Sequence, residues 1–159
     1  MPTRNQFLVD PAGNLSPAAL ANVGAVLTLD VHVPPVIAAS LSAAGQPVPT
    51  AASGLALIDT GATMTCVHEP HLTGLGLNPV STVQVGTAAG PVQQNVYMAR
   101  LVLPELGWTV DLPVAGVNLA GQQAAVTPPQ PIIALIGRNL LQLCVFTWNG
   151  VGGFWSLST

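Results

Sequence analysis

The chain has no lysine, three arginines and two cysteines in 159 residues, and only 6% of its residues carry charge. Each shortage excludes something. Arg4, Arg100 and Arg138 lie far apart in sequence, so no basic stripe exists to neutralise phosphates, and nucleic acid is not an expected partner. Cys66 and Cys144 are too few for a disulfide framework and lack zinc-type spacing. They read as buried thiols of a reducing compartment, and a cytoplasmic protein is expected. Long apolar runs are missing too. Gly, Pro, Asn or a charge interrupts every stretch before it reaches the roughly 18–20 apolar residues of a spanning helix, so no membrane partner is expected. Met1–Pro11 carries Arg4 and Asp10 but no apolar core of the kind a secretory signal needs.

What is present is a chain 50% hydrophobic with a formal charge of −3. A single domain of this length can bury a real core. With so few charges, much of its apolar surface must either reflect a biased composition or be covered by a second chain, because monomers rarely expose large apolar patches.

The 16 Gly and 15 Pro punctuate short segments rich in Val, Leu, Ile and Thr, which is a β-protein pattern. Ala25–Val33 alternates Val26, Thr28 and Asp30 against Leu27, Leu29 and Val31, and Pro34 and Pro35 close it. Pro35–Ala44 reads as a short helix ending at Gly45. Gly54–Ile58 and Ile132–Ile136 are short, wholly apolar strands of the buried type. Met64–Val67 reads as a strand, Glu69–Leu75 as a weak helical turn, and Val80–Val85 with Val92–Leu103 as a hairpin whose tip is Gly86–Pro91. Trp108–Val117 is a further strand, Asn118–Pro131 a polar loop, Arg138–Cys144 a helical segment, and Val145–Trp148 and Gly153–Leu157 terminal strands. The expected fold is all-β with one or two short helices, an extension over residues 1–24 and one domain over 25–159.

The densest chemical signal is Ala56–Thr65, ALIDTGATMT. An acid directly after a buried strand needs hydrogen bonds, a partner charge or a shared proton, because desolvating a lone carboxylate is costly. Gly61 permits a tight turn with bare N–H groups near Asp59, and Thr60 supplies a hydroxyl to brace it. Taken alone, Asp-Thr-Gly reads first as an ordinary Asx-type turn between two strands. Amide hydrolysis by two carboxylates needs one ionised, to take a proton from water, and one protonated, to hydrogen-bond the scissile carbonyl. Only one Asp-Thr-Gly exists here, so chemistry of that kind would need its second carboxylate from a second copy across a two-fold axis.

Together, ALIDTGATMT and the downstream Ile132–Leu141, IIALIGRNLL, resemble the retroviral-type aspartic proteases, the retropepsins, in the single-domain bacterial or plasmid-borne form. The resemblance covers Ala25 to the C-terminus. It implies a closed β-barrel or sandwich and an obligate homodimer with flap hairpins. It implies an aspartic endopeptidase that needs no cofactor and no metal, with a water nucleophile activated by the Asp59 pair and an extended peptide or protein as substrate. Asp59, Thr60 and Gly61 would form the catalytic turn, with the Thr60 hydroxyl locking the two loops together. Ala62 and the flap residues Gly86, Thr87, Ala88, Ala89 and Gly90 would contact substrate. Gly137 and Arg138 would form the structural second motif, Gly137 packing where a side chain would intrude. The subsites should be apolar, since the hairpin and the active-site strands offer Val, Ile, Leu and Ala.

One position departs from the family. Where retroviral members place an acid that pairs with the second-motif Arg, this chain has Thr63. Arg138, expected to be buried, then needs backbone carbonyls or another acid, Glu69 or Asp111, as acceptors. That departure keeps open an alternative, a weak or inactive retropepsin-like module for dimerisation or peptide binding. His68 and His71 flank Glu69 and Pro70, but this is not the i, i+4 zinc spacing, and no metal is expected there. Because retroviral members interleave their terminal strands across the dimer, Val145–Thr159 is expected to cover part of the interface, with Trp148, Phe154 and Trp155 as its aromatics.

Overall fold

A computed structural model of the chain describes residues 1–87 and 90–159. Ala88 and Ala89, expected in the flap, lie outside the described residues. In chain order the elements are β1 (Thr3–Phe7), α1 (Pro17–Val23), β2 (Val26–His32), α2 (Pro35–Ala43), β3 (Ala52–Ile58), β4 (Cys66–His68) and α3 (Glu69–Gly74). The hairpin β5 (Ser81–Thr87) and β6 (Gly90–Leu103) leads through a 3-10 turn at Pro104–Leu106 to β7 (Trp108–Val117). The two-residue β8 (Gln123–Ala124), β9 (Gln130–Ile136), α4 (Arg138–Leu141), β10 (Val145–Asn149) and β11 (Phe154–Ser158) follow.

Six strands close into a barrel in the order β2, β3, β9, β4, β7, β6, and β6 returns to pair with β2. The β3–β9 and β4–β7 pairs are parallel and the others antiparallel. Alternation builds the interior. Leu27, Leu29 and Val31 of β2 point inward, as do Tyr97, Ala99, Leu101 and Leu103 of β6, and they meet Ile133, Ala134 and Ile136 of β9. Burying each large aliphatic side chain contributes about 1.5–3 kcal/mol, which makes this barrel the main source of stability. Strand β5 extends beyond the barrel and, among the described residues, pairs with β6 alone, over Ser81↔Val96 to Thr87↔Gly90.

The helix at residues 35–43 starts on Pro35, and Gly45, with a φ of +69°, lies just beyond its end. None of its residues is fully buried; Ile37 and Ala38 pack against the core from outside. The polar loop expected over 118–131 is not wholly irregular, because Gln123 and Ala124 pair with Pro131 and Gln130. The strand expected at Met64–Val67 begins later, at Cys66, since Thr65 is drawn into contacts with Asn139. Likewise α4 ends at Leu141 instead of continuing to Cys144.

Residues 1–24 pack on the same body. Strand β1 pairs antiparallel with β11, Leu20 of α1 is fully buried, and Arg4 Nε lies 2.8 Å from Glu105 Oε2. Strands β1, β11 and β10 thus form a three-stranded sheet within one chain. This corrects the expectation for the terminal aromatics. Trp155 is fully buried in the chain's own core, and Phe154 packs on Phe7 with ring centroids 5.2 Å apart. Only Trp148 keeps a large free face, at 47% exposure. Both cysteines are free thiols. Among the described residues, no helix is long and apolar enough to cross a bilayer.

Candidate active site

Strands β3 and β9 end together, and Asp59 N donates to Ile136 O at 3.0 Å, so the two sequence motifs leave the barrel side by side. The chain then turns back sharply at Gly61. Asp59 is half-buried, and its Oδ1 accepts from Gly61 N at 2.9 Å and Ala62 N at 3.3 Å. Two backbone donors on one oxygen fix the orientation of the carboxylate and leave Oδ2 for other chemistry.

The second motif holds this loop from behind. Arg138 N donates to Ala62 O at 2.9 Å and Asn139 N to Thr63 O at 3.1 Å. Gly137 admits the approach: a Cβ there would fall on the Met64 carbonyl carbon, 2.5 Å from its oxygen and 2.6 Å from Thr65 N. Any side chain would have to displace backbone. The Arg138 guanidinium donates from Nη1 to Thr60 O at 2.9 Å and Gly61 O at 3.2 Å, and from Nη2 to Thr63 Oγ1 at 2.9 Å. Arg138 is exposed, not buried as expected, and its acceptors are two carbonyls and the hydroxyl that stands where an acid was anticipated. Neither suggested acid reaches it. Asp111 is held by Arg100, with hydrogen bonds of 2.8 and 2.9 Å that keep its carboxyl below the ordinary range. Glu69 Oε1 accepts from Asn95 Nδ2 at 2.8 Å and Tyr97 OH at 2.7 Å, which lower its pKa.

Sequence reasoning missed Asn139 and Thr65. Asn139 Oδ1 accepts from both Thr65 N at 2.7 Å and Thr65 Oγ1 at 2.8 Å, while its Nδ2 donates to Pro113 O at 2.9 Å. Gly137 N in turn donates to Thr65 Oγ1 at 3.1 Å, at a threonine with no exposed surface. The signal was present as a short amide at the start of a helix, next to the quoted Arg138.

In front of Asp59 opens a cleft of about 740 Å³. Gly61, Ala62, Thr63 and Met64 form its floor with Cys66, the hairpin contributes Val83, Val85 and Gly86, and Leu119 and Leu135 close the far side. The walls are predominantly apolar, and the hairpin stands over the same space as the carboxylate. Thr60 is exposed, and Thr87 and Gly90 pair at the end of the hairpin ladder. Burial, followed by the charge of Asp59, raises the pKa of the Cys66 thiol, which disfavours its thiolate. His68 and His71 pack edge to face with centroids 5.4 Å apart, and among the described residues no cluster of three metal-binding side chains exists.

A family described as aspartyl protease matches residues 39–140, a span that contains the Asp59 motif, the hairpin and the second motif up to Leu140, and the chain belongs to that family. No curated protein matches it. Among solved structures, the solution structure of simian foamy virus (mac) protease is similar, at 19% identity and a TM-score of 0.41 over 72% of this chain and 91% of that one.

Proposed function

We propose that the protein is an aspartic endopeptidase whose working form is a homodimer, with Asp59 of each copy facing the other across a two-fold axis. The observation that carries this reading is Asp59 Oδ1 pinned by two backbone N–H groups at the floor of an apolar cleft, in a chain with one Asp-Thr-Gly. Two such carboxyls about 3 Å apart cannot both ionise, so they share a proton and titrate as a pair. The ionised member takes a proton from water as it attacks the scissile carbonyl, and the protonated member donates to the carbonyl oxygen. The substrate is an extended peptide that adds to the hairpin as a strand, with alternate side chains entering the apolar walls.

The terminal sheet supports the second copy. Strand β10 is an edge, no residue from 139 to 159 is charged, and Leu143, Val145 and Trp148 are about half exposed. Edge strands of monomers are ordinarily guarded by charges, bulges or proline, and β10 has no charge or proline. A second copy meeting this edge covers it, and α4 links the edge directly to the loop that Arg138 holds. The Asp59→Asn variant tests the chemistry on a peptide library at mildly acidic pH. Cleavage should drop by at least about 10²–10⁴-fold. Equal cleavage by both proteins refutes the assignment. Peptide binding without release of fragments by the wild type returns the alternative of a binding module.

A further inference from the structure

The Asn118–Leu119 wall of the cleft has an unusual tie. Val117 ends β7, and the next stretch separates two hollows: the substrate cleft, and a smaller one of about 390 Å³ lined by His68, Glu69, Pro70, Val117, Asn118 and Ala120. The tie crosses from the smaller hollow. Leu119 N donates to His68 Nδ1 at 3.0 Å, from the half-buried imidazole at the end of β4. An imidazole nitrogen accepts only when it carries no proton, so this bond requires the neutral ring with its hydrogen on Nε2. Leu119 itself is 8% exposed and faces the cleft, so whatever fixes its backbone fixes an apolar surface offered to substrate.

The groups around the ring are few. On α3 lie Glu69, already engaged by Asn95 and Tyr97 of β6, and His71, edge-on to the ring. Cys66 precedes it on β4, and residues 117–120 carry no charge.

We infer that His68 is a positioning residue for substrate: neutral, it holds Leu119 and the cleft wall in shape; protonated, it presents a donor to a donor and releases the wall. Recognition of a large apolar substrate side chain therefore weakens when the His68 ring takes up a proton, since Leu119 N then loses its acceptor. The catalytic part of this inference rests on the endopeptidase reading above.

The test uses the full chain and the variant His68→Asn, whose Oδ1 stands where Nδ1 stood and does not titrate. In an NMR titration from pH 8 to 5, the wild-type Leu119 amide should shift with the His68 ring. It should stay flat in His68→Asn and still titrate in His71→Asn. In parallel, KM for a peptide with bulky apolar side chains should rise about five- to tenfold in the wild type over that range, the effect of one lost hydrogen bond. In His68→Asn it should not, so the two proteins part in KM and not in the pH limbs of kcat. A Leu119 amide that ignores the His68 titration, or a KM profile shared by both proteins, overturns the inference. If neither protein cleaves any peptide, the endopeptidase reading falls, and the amide titration alone still decides whether His68 holds Leu119.

Discussion

The loop around Asp59 and the sheet at the chain's ends are opposites in how they treat backbone polar groups. From Asp59 to Thr65 the polar atoms are met from the same chain: Ile136 O takes Asp59 N, Ala62 and Thr63 carbonyls take Arg138 N and Asn139 N, and Asn139 clamps Thr65. The sheet β1–β11–β10 instead ends on β10, an uncharged edge with Val145 and Trp148 showing. In one region the chain's own groups fix the loop and its carboxylate; in the other an uncharged strand edge is left open.

This contrast can be broken at either end. The largest effect on folding is expected from Gly137→Ala, where the new methyl meets Met64 and Thr65 backbone. Urea denaturation should show a loss of about 3 kcal/mol or more, and a near-neutral result would mean that the loop is not held by the second motif. Asn139→Ala comes next. It leaves the fully buried Thr65 hydroxyl and amide without their acceptor and should cost about 2–3 kcal/mol, with Asn139→Asp milder because it keeps that acceptor.

At the other end, Trp148→Asp should barely change unfolding of the isolated chain, within about 0.5 kcal/mol for an exposed site. It should still weaken self-association by at least about tenfold, measured by sedimentation equilibrium, because it places a charge on the edge. The smallest effect is expected at Glu69. Hydrogen bonds from Asn95 and Tyr97 lower its folded pKa, so their stabilisation is present above the ordinary value of 4.5 and is lost as pH falls through the folded pKa. Tyr97→Phe should therefore lose less than about 1 kcal/mol at pH 7 and converge on the wild type in acid.

The contrast also explains what could be read in the sequence. Short apolar runs between glycines and prolines announced the barrel strands, and Trp108–Val117 agrees at both ends. The acid after a buried strand and the Gly-Arg that faces it were visible as two local motifs. Strand β1 was not, because its inward side chains are Arg4 and Gln6, opposite Leu157 and Trp155, so hydrophobic alternation is absent there. Trp155 was misplaced for a related reason. An aromatic on a terminal strand reads the same whether it faces its own core or a partner, and only the pairing of β11 with β1 and β10 decides. The contacts of Thr65 with Asn139 and of Leu119 with His68 join segments far apart in sequence, and only the short amide beside Arg138 gave a local hint of the first.

The central claim is that cleavage needs two copies. Sedimentation equilibrium and specific activity, measured on the same samples across a dilution series, test it directly. The account predicts a species of twice 16.2 kDa that carries the activity, with activity per chain falling as the dimer dissociates. A strict monomer that cleaves peptides with undiminished activity per chain would contradict it.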